Sequence, residues 1–173
     1  MEINAKKRIY IVGSVGSGKT TLAKRLSLQL NTPWYELDNV FHERIPKADR
    51  GRAKGERELV FKNILDSEKW IIEGVRRECF DEGFMKADII IFLNTPQFIR
   101  QYRITRRWIR QKLKLEKCEY NADLNMLSKM FQWSKSFEKS KGELLKLLQP
   151  YKEKLVIMKN NDIESTKKLY EKK

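Results

Sequence analysis

Residues 8–30 read RIYIVGSVGSGKTTLAKRLSLQL. The centre of this stretch fits G-x-x-x-x-G-K-[ST], with Gly13, Gly18, Lys19 and Thr20 in the fixed places. Ile9 to Val12 is a short apolar run that suits a buried strand, and Leu22, Leu26 and Leu30 recur at helical spacing. Strand, glycine loop and helix therefore follow one another within 23 residues. Phosphate oxygens need donors at close range, and backbone N–H groups supply them only where no side chain intrudes. Gly13, Gly16 and Gly18 permit that approach and the positive φ it requires. The following helix points its free N–H groups and positive dipole end at the anion. Residues Gly13, Ser14, Val15, Gly16, Ser17, Gly18, Lys19, Thr20 and Thr21 are thus expected to hold the phosphates of a nucleotide such as ATP. Lys19 reaches the β and γ phosphates as a point charge, and the Thr20 hydroxyl is suited to Mg²⁺.

Working outward, strand-like and helix-like stretches alternate along the chain, which predicts an α/β fold with a parallel sheet covered by helices on both faces. Five strands are expected: 9–12, 34–37, 70–73, 89–93 and 155–158. The near-continuous apolar run Ile89 to Leu93 suits a central parallel position. Residues 41–55, FHERIPKADRGRAKG, are polar and basic with Pro46, Gly51 and Gly55, and read as a mobile loop on the substrate side. Residues 56–67 read as a helix with Val60, Phe61, Ile64 and Leu65 inward. Pro96 opens a helix over about 97–115. A further helical stretch over 121–149 has Leu124, Leu127, Phe131, Phe137, Leu144 and Leu148 as core candidates, with Gly142 as a point of kinking. Asp162 is placed as the N-cap of a last helix.

At 173 residues the chain is read as one domain, large enough to bury a full core. Its net charge of +14 comes from 37 basic and 23 acidic residues and favours anionic partners. Cys79 and Cys118 form no metal or redox motif, which fits a reduced, cytoplasmic setting. The polar N-terminus lacks a signal-type apolar region, and no apolar run is long enough to span a membrane.

Ligands of such a sheet bind beyond the carboxyl ends of the strands. Those ends carry the glycine loop, Asp38, Glu73-Gly74, Asn94-Thr95 and Asn160-Asn161. Asp38 can position or deprotonate a substrate hydroxyl, or hold Mg²⁺ through water; the plain alternative is a turn aspartate. Glu73 follows the apolar strand Trp70-Ile71-Ile72 and suits a metal-holding role, with Gly74 behind it letting a phosphate approach the backbone. Arg76 and Arg77 follow and can clamp a second anionic substrate. On helix 97–115, Phe98, Tyr102, Ile109 and Leu113 share one side. Arg100, Arg103, Arg106, Arg107, Arg110 and Lys114 fall within a stripe on the other. Arginines so mounted can stabilise a phosphoryl group in flight, form a solvated face, or contact nucleic acid.

These motifs resemble the adenylate-kinase-like group of P-loop kinases, and within it the small bacterial proteins called DNA topology modulation proteins. The resemblance covers nearly the whole chain and implies a three-layer P-loop NTPase fold with ATP and Mg²⁺ as cofactors. Glu73-Gly74-Val75-Arg76-Arg77 stands where adenylate kinases carry Asp-Gly-Phe-Pro-Arg. By that match Glu73 takes the metal-water role, and Gly74 and Arg77 belong to the substrate side. Arg103 and Arg107 have the spacing of the lid-hinge arginines that contact the nucleotide and the transferring phosphate. Asn160 lies where the last strand delivers backbone contacts to adenine. The chain departs from the pattern at Glu73, which replaces Asp, and at Val75-Arg76, which replace Phe-Pro. A short turn between Lys114 and Asp123 replaces the lid domain with a helical pair over 97–149, and residues 41–55 do not read as a nucleoside-monophosphate domain.

The expected activity is ATP- and Mg²⁺-dependent phosphoryl transfer to a small acceptor. Lys19, Arg103, Arg107 and Asp38 are the catalytic candidates, Asp38, Gly74, Arg77 and Arg107 the acceptor side, and Thr20 and Glu73 the metal side. The alternatives are an ATP-binding, DNA-associated regulator that uses the basic surface, and a simple NTPase.

Overall fold

A computed structural model of the chain describes residues 7–45, 48–116, 118 and 122–161. Strand β1 (Arg8–Gly13) leads through the glycine loop to helix α1 (Lys19–Leu30). Strand β2 (Trp34–Glu36) runs directly into a five-residue helix α2 (Leu37–Phe41), followed by β3 (His42–Ile45) and β4 (Ala48–Gly51). Helix α3 (Lys54–Asp66) leads to β5 (Trp70–Gly74), then to a short 3-10 turn (Glu78–Phe80) and α4 (Glu82–Lys86). Strand β6 (Ile89–Leu93) precedes α5 (Gln97–Lys112), α6 (Leu124–Leu148), a second 3-10 stretch (Gln149–Lys154) and β7 (Leu155–Met158).

Five strands form one parallel sheet in the order β2-β5-β1-β6-β7. The alternation of side chains along each strand divides the core in two. Ile9, Ile11, Ile71, Ile89, Ile91 and Leu93 pack against Leu22, Ala23 and Leu26 of α1. Tyr10, Val12, Trp70, Ile72, Ile90 and Phe92 face the other way, onto residues of α2, α3, α4 and α6. The sheet is therefore covered on both faces, as the alternating sequence pattern predicts. β1 lies at its centre, and the order reverses beside it: the chain first builds the β5–β2 side and then the β6–β7 side. In such sheets the crevice at that reversal is where ligands bind. Among the described residues, no helix is long and apolar enough to cross a membrane.

Four local readings are revised. Residues 41–55 are not a plain loop: β3 and β4 pair antiparallel, His42 opposite Gly51, and α3 has begun by Lys54. Asp38 lies in the first turn of α2 rather than at the end of a strand. Helix α6 runs unbroken through Gly142, with Met130, Ser134, Phe137, Leu144 and Leu148 buried, whereas Leu124 is 69% exposed. The largest revision concerns α5. Its apolar side, Phe98, Tyr102, Ile109 and Leu113, faces solvent, while Arg100 and Ile104 are buried. Arg100 is drawn inward because every part of its guanidinium finds a partner. Nη1 donates to the Thr95 carbonyl at 2.7 Å, Nε to Ser134 Oγ at 3.1 Å and Nη2 to the Ser134 carbonyl at 2.8 Å. Nη2 also pairs with Glu138 at 2.8 Å. Although burial pushes the Glu138 carboxyl up, hydrogen bonds from Arg100 and Lys141 hold it below its ordinary value. α5 ends where Lys114 turns to φ +56, with the Leu115 N–H returning to the Arg110 carbonyl. The expected helix after Asp162 lies outside the described residues.

Candidate active site

The glycine loop has the conformation its sequence requires. Gly16 and Gly18 take φ of +73 and +95, in the left-handed region, and the Ser17 N–H closes a turn onto the Ser14 carbonyl. Space forbids other residues as well: a Cβ at Gly16 would come within 2.9 Å of the Arg100 carbonyl, and one at Gly18 within 2.4 Å of the Asn161 amide. Helix α1 opens directly from Gly18 with no side-chain cap and no acid in its first turn. The positive end of a twelve-residue helix is thereby left for an anion. Ser14 and Ser17 are buried, and their hydroxyls find no protein partner. Buried polar atoms without partners are costly, and phosphate oxygens are the chemistry that would satisfy these.

Lys19 is buried and folds back to donate to the Ser14 carbonyl at 2.9 Å. Burial pulls its ammonium below the ordinary lysine range, with Glu73 and Asp38 opposing and Arg107 assisting that shift. Glu73 stands in a strand buried along its whole length, opposite Ile11 on one side and Glu36 on the other. Burial pushes its carboxyl up, against the Lys19 charge and a hydrogen bond from Thr20. That bond runs from Thr20 Oγ1 to Glu73 Oε1 at 2.5 Å. A hydroxyl and a carboxylate side by side form an oxygen-only donor set that fits Mg²⁺ completed by phosphate and water. Among the described residues, no group of three or more His, Cys, Asp or Glu forms an all-protein metal cage.

The inward face of α5 carries the next part of the site. Arg103 donates to the Ser17 carbonyl at 2.8 Å, to Asn160 Oδ1 at 2.7 Å and to Asn161 Oδ1 at 3.1 Å. It therefore joins the glycine loop to the end of β7. Arg107 lies one turn on, its Nη2 3.3 Å from Met130 Sδ and its Nε without a partner. Arg103, Arg106, Arg107, Arg110 and Glu116 line a cleft of about 310 Å³, and Arg110 pairs with Glu116 at 3.2 Å.

On the other side of Lys19, Arg77 Nη2 donates to Asp38 Oδ1 at 2.9 Å. The guanidinium of Arg77 lies 4.2 Å from the ring centre of Phe41, and that of Arg57 from α3 lies 4.4 Å from it. The Nε atoms of Arg57 and Arg77 are buried without a partner. Two arginines thus lie against one aromatic ring, and one of them also holds the Asp38 carboxylate. Arg76 is engaged elsewhere, with Asp81 at 2.6 Å.

The structure pairs Thr20 with Glu73, joins Arg103 to Ser17 and Asn160, and folds Lys19 onto the Ser14 carbonyl, while Glu73, Asp38 and Arg107 all act on the Lys19 charge. Val15 is half-buried and Thr21 exposed. Two expectations are revised. Gly74 is buried, and the space its missing side chain leaves is filled by Leu37, 2.7 Å from a Cβ placed there, rather than open to a phosphate. Arg100, counted with the arginine stripe, ties α5 to α6 and is not available to a ligand. Thr95 and Asn161, which the sequence places at the carboxyl ends of the strands, reach the glycine loop: Thr95 donates to the Ser17 carbonyl at 3.1 Å and Asn161 Nδ2 to the Gly18 carbonyl at 2.9 Å. Arg57, seated on Phe41, escapes a reading of the sequence, because it meets its partner only across the fold.

No family model matches the chain. Shikimate kinase from Bacteroides thetaiotaomicron is 34% identical over 115 residues, which cover 58% of this chain and 65% of that protein. An uncharacterized protein, YqaC, from Bacillus subtilis is 34% identical over 103 residues, 59% of this chain and 57% of that one. The chain thus spans less than two thirds of the length of these curated relatives. Among solved structures, shikimate kinase from Bacteroides thetaiotaomicron aligns with a TM-score of 0.63 at 18% identity, covering 95% of this chain and 97% of that one. Shikimate kinase from Acinetobacter baumannii, solved in complex with shikimate, gives 0.51 at 18% identity, covering 96% and 90%. The fold is that of the P-loop kinases.

Proposed function

We propose that this protein is an ATP- and Mg²⁺-dependent phosphotransferase whose acceptor is a small molecule bearing a hydroxyl and an anionic group. One observation carries the reading: the glycine loop, with Gly16 and Gly18 at positive φ and the buried Ser14 and Ser17 hydroxyls unpartnered, opens uncapped into α1 beside the Thr20–Glu73 pair. Lys19 as the phosphate-binding lysine, Glu73 as the cation-holding acid, Asp38 as the base and Arg107 as the charge-stabilising arginine are the roles this reading gives to residues around that loop. The named activity of the Bacteroides relative, which belongs to that protein, supports it.

In this reading the glycine loop and Lys19 hold the β and γ phosphates, and Thr20 and Glu73 are the residues that would hold Mg²⁺. When bound, Mg²⁺ neutralises charge on the phosphate oxygens. Asp38, steadied by Arg77, orients the acceptor hydroxyl and takes its proton. The acceptor oxygen forms a bond to the γ phosphorus as the bond to the β–γ bridging oxygen breaks, and the electron pair leaves with ADP. Arg107 meets the charge on the equatorial oxygens, and Arg103 fixes the loop against α5 and the β7 end. Arg57 and Arg77 bind the anionic group of the acceptor, a carboxylate or a phosphate, through their planar forks.

The DNA-associated reading has less support. Arg100 and Arg103, which helped motivate it, bond to α6 and to the glycine loop rather than presenting an outward basic surface.

The test is transfer of labelled phosphate from ATP with Mg²⁺ to a panel of hydroxy acids including shikimate, nucleosides, nucleoside monophosphates and sugar acids, read by chromatography with Lys19→Ala as control. A labelled product absent from the control is expected with an acid or phosphate acceptor. Free phosphate alone would reduce the protein to an NTPase, and a product equally abundant with the control would sink the proposal.

A further inference from the structure

Arg52 belongs to no motif and lies one residue beyond β4, yet it takes four successive carbonyl oxygens of α2 and its exit. Its main-chain N–H donates to the Phe41 carbonyl at 2.9 Å. Its Nη1 faces the carbonyls of Asn39 at 2.5 Å, Val40 at 3.3 Å and His42 at 2.9 Å. These are the acceptors that a helix leaves open at its C-terminal end. α2 has five residues, far fewer than the roughly 12–15 an isolated helix needs. Its position therefore depends on what holds its ends. Leu37 and Val40 anchor it to the core, and Arg52 holds its C-terminal end.

What α2 carries gives the contact its meaning. Asp38 stands in its first turn, and Phe41, its last residue, is the ring against which Arg57 and Arg77 lie. The strand pair β3–β4 adds little else: where its side chains are described, none is buried, and none belongs to the hydrophobic core. Arg50 braces the pair through Glu43 at 2.8 Å and Glu56 at 3.3 Å, so Arg52 is delivered from a fixed base. The chain leaves α2 at His42 and returns at Arg52 to close on the helix it left.

We propose that Arg52 is a positioning residue for the acceptor site. It acts through α2, holding Asp38 toward the acceptor hydroxyl and Phe41 between the two arginines, and touches neither substrate. Its side-chain contacts all run from one nitrogen, Nη1, so the clamp depends on one charged donor group held at the end of a long side chain. The proposal rests on the reading of the Asp38–Arg57–Arg77 cluster as an acceptor site.

Two measurements on the full chain test it. The first follows amide hydrogen exchange over residues 37–43 in wild type, Arg52→Lys and Arg52→Ala, with α1 amides as the internal reference. Arg52→Ala should speed exchange there by roughly tenfold or more while α1 stays unchanged, with Arg52→Lys, whose single ammonium also offers three donors, falling between the two. Unchanged exchange, or an increase shared by α1, would overturn the proposal whether or not an acceptor is in hand. The second uses steady-state kinetics with the acceptor that the panel identifies. Arg52→Ala should raise the acceptor KM about tenfold and lower kcat, with the KM for ATP within about twofold of wild type. In an Asp38→Asn background, adding Arg52→Ala should cost less than about threefold more, because Arg52 works through Asp38. Fully multiplying effects, or equal rises in both KM values, would reduce Arg52 to a general stabilising contact. A panel with no product overturns the acceptor reading itself and leaves the exchange result to judge the helix clamp.

Discussion

The carboxyl edge of the sheet has two halves built by different means. Around β1, β6 and β7, side chains converge on main-chain oxygens of the glycine loop: Lys19 on Ser14, Thr95 and Arg103 on Ser17, and Asn161 on Gly18. The backbone proposed to meet phosphate is held by four side chains. Around β2 and β5, side chains meet one another instead: Arg77 on Asp38, and Arg57 and Arg77 on the Phe41 ring. A phosphate chain is the same in every nucleotide, so a fixed backbone cradle suffices for it. Acceptors differ, and a site made of side chains on a short helix and a strand pair can change with them while the cradle stays.

This contrast predicts that substitutions in the two halves separate kinetically. The largest effect belongs to the cradle. Lys19→Ala removes the charge at the β and γ phosphates, and transfer should fall by about 10³-fold or more with the circular-dichroism spectrum unchanged. Turnover at the wild-type rate would break the division at its strongest point. Arg107→Ala should come next, lowering kcat by roughly 10²–10³-fold with little change in either KM, because its charge matters when the phosphoryl group is in flight. A change confined to the ATP KM would make Arg107 a nucleotide-binding residue instead.

The smaller effects lie in the acceptor half. Arg57→Ala should raise the acceptor KM by about 10–100-fold, as expected for one lost charge-assisted pair, and leave the ATP KM unchanged. If both KM values rose together, the two halves would not be independent.

The halves also differ in how far the sequence discloses them. The cradle is legible because its conformation demands glycine at fixed intervals, and Gly16 and Gly18 take the positive φ that the spacing implies. Three of the five strands are legible for a related reason: they are buried along nearly their whole length and carry the apolar runs Ile9 to Val12, Trp70 to Ile72 and Ile89 to Leu93. Helix α5 shows the limit of periodicity. The period of 3.6 tells which residues share a face, and α5 does separate Phe98, Tyr102 and Ile109 from its arginines. It does not tell which face turns inward. That is decided by Ser134 and Glu138 on α6 and by the carbonyls of Thr95 and Ser17, at separations of up to 86 residues. Arg57 and Arg52 are hidden for the same reason. One looks like a polar position on an amphipathic helix and the other like a loop arginine until the fold brings Phe41 and the end of α2 beside them.

Glu73 stands at the seam between the halves and gives the mildest test. Burial pushes its carboxyl above the ordinary glutamate value, with Lys19 and Thr20 opposing. Only the carboxylate can hold a cation, so Mg²⁺-dependent transfer should rise with pH around a midpoint above that ordinary value. Stability runs the other way. Because the folded state binds this proton more tightly than the unfolded chain, the contribution of Glu73 is full below its unfolded pKa. It is lost as pH rises through the raised, folded one. The wild-type protein should therefore gain activity and lose part of its melting temperature across the same interval, and Glu73→Gln should flatten both curves. A Glu73→Gln variant that kept the wild-type Mg²⁺ requirement would remove Glu73 from the cation site, and the Mg²⁺-organising acid would then have to be sought at Asp38, inside the acceptor half.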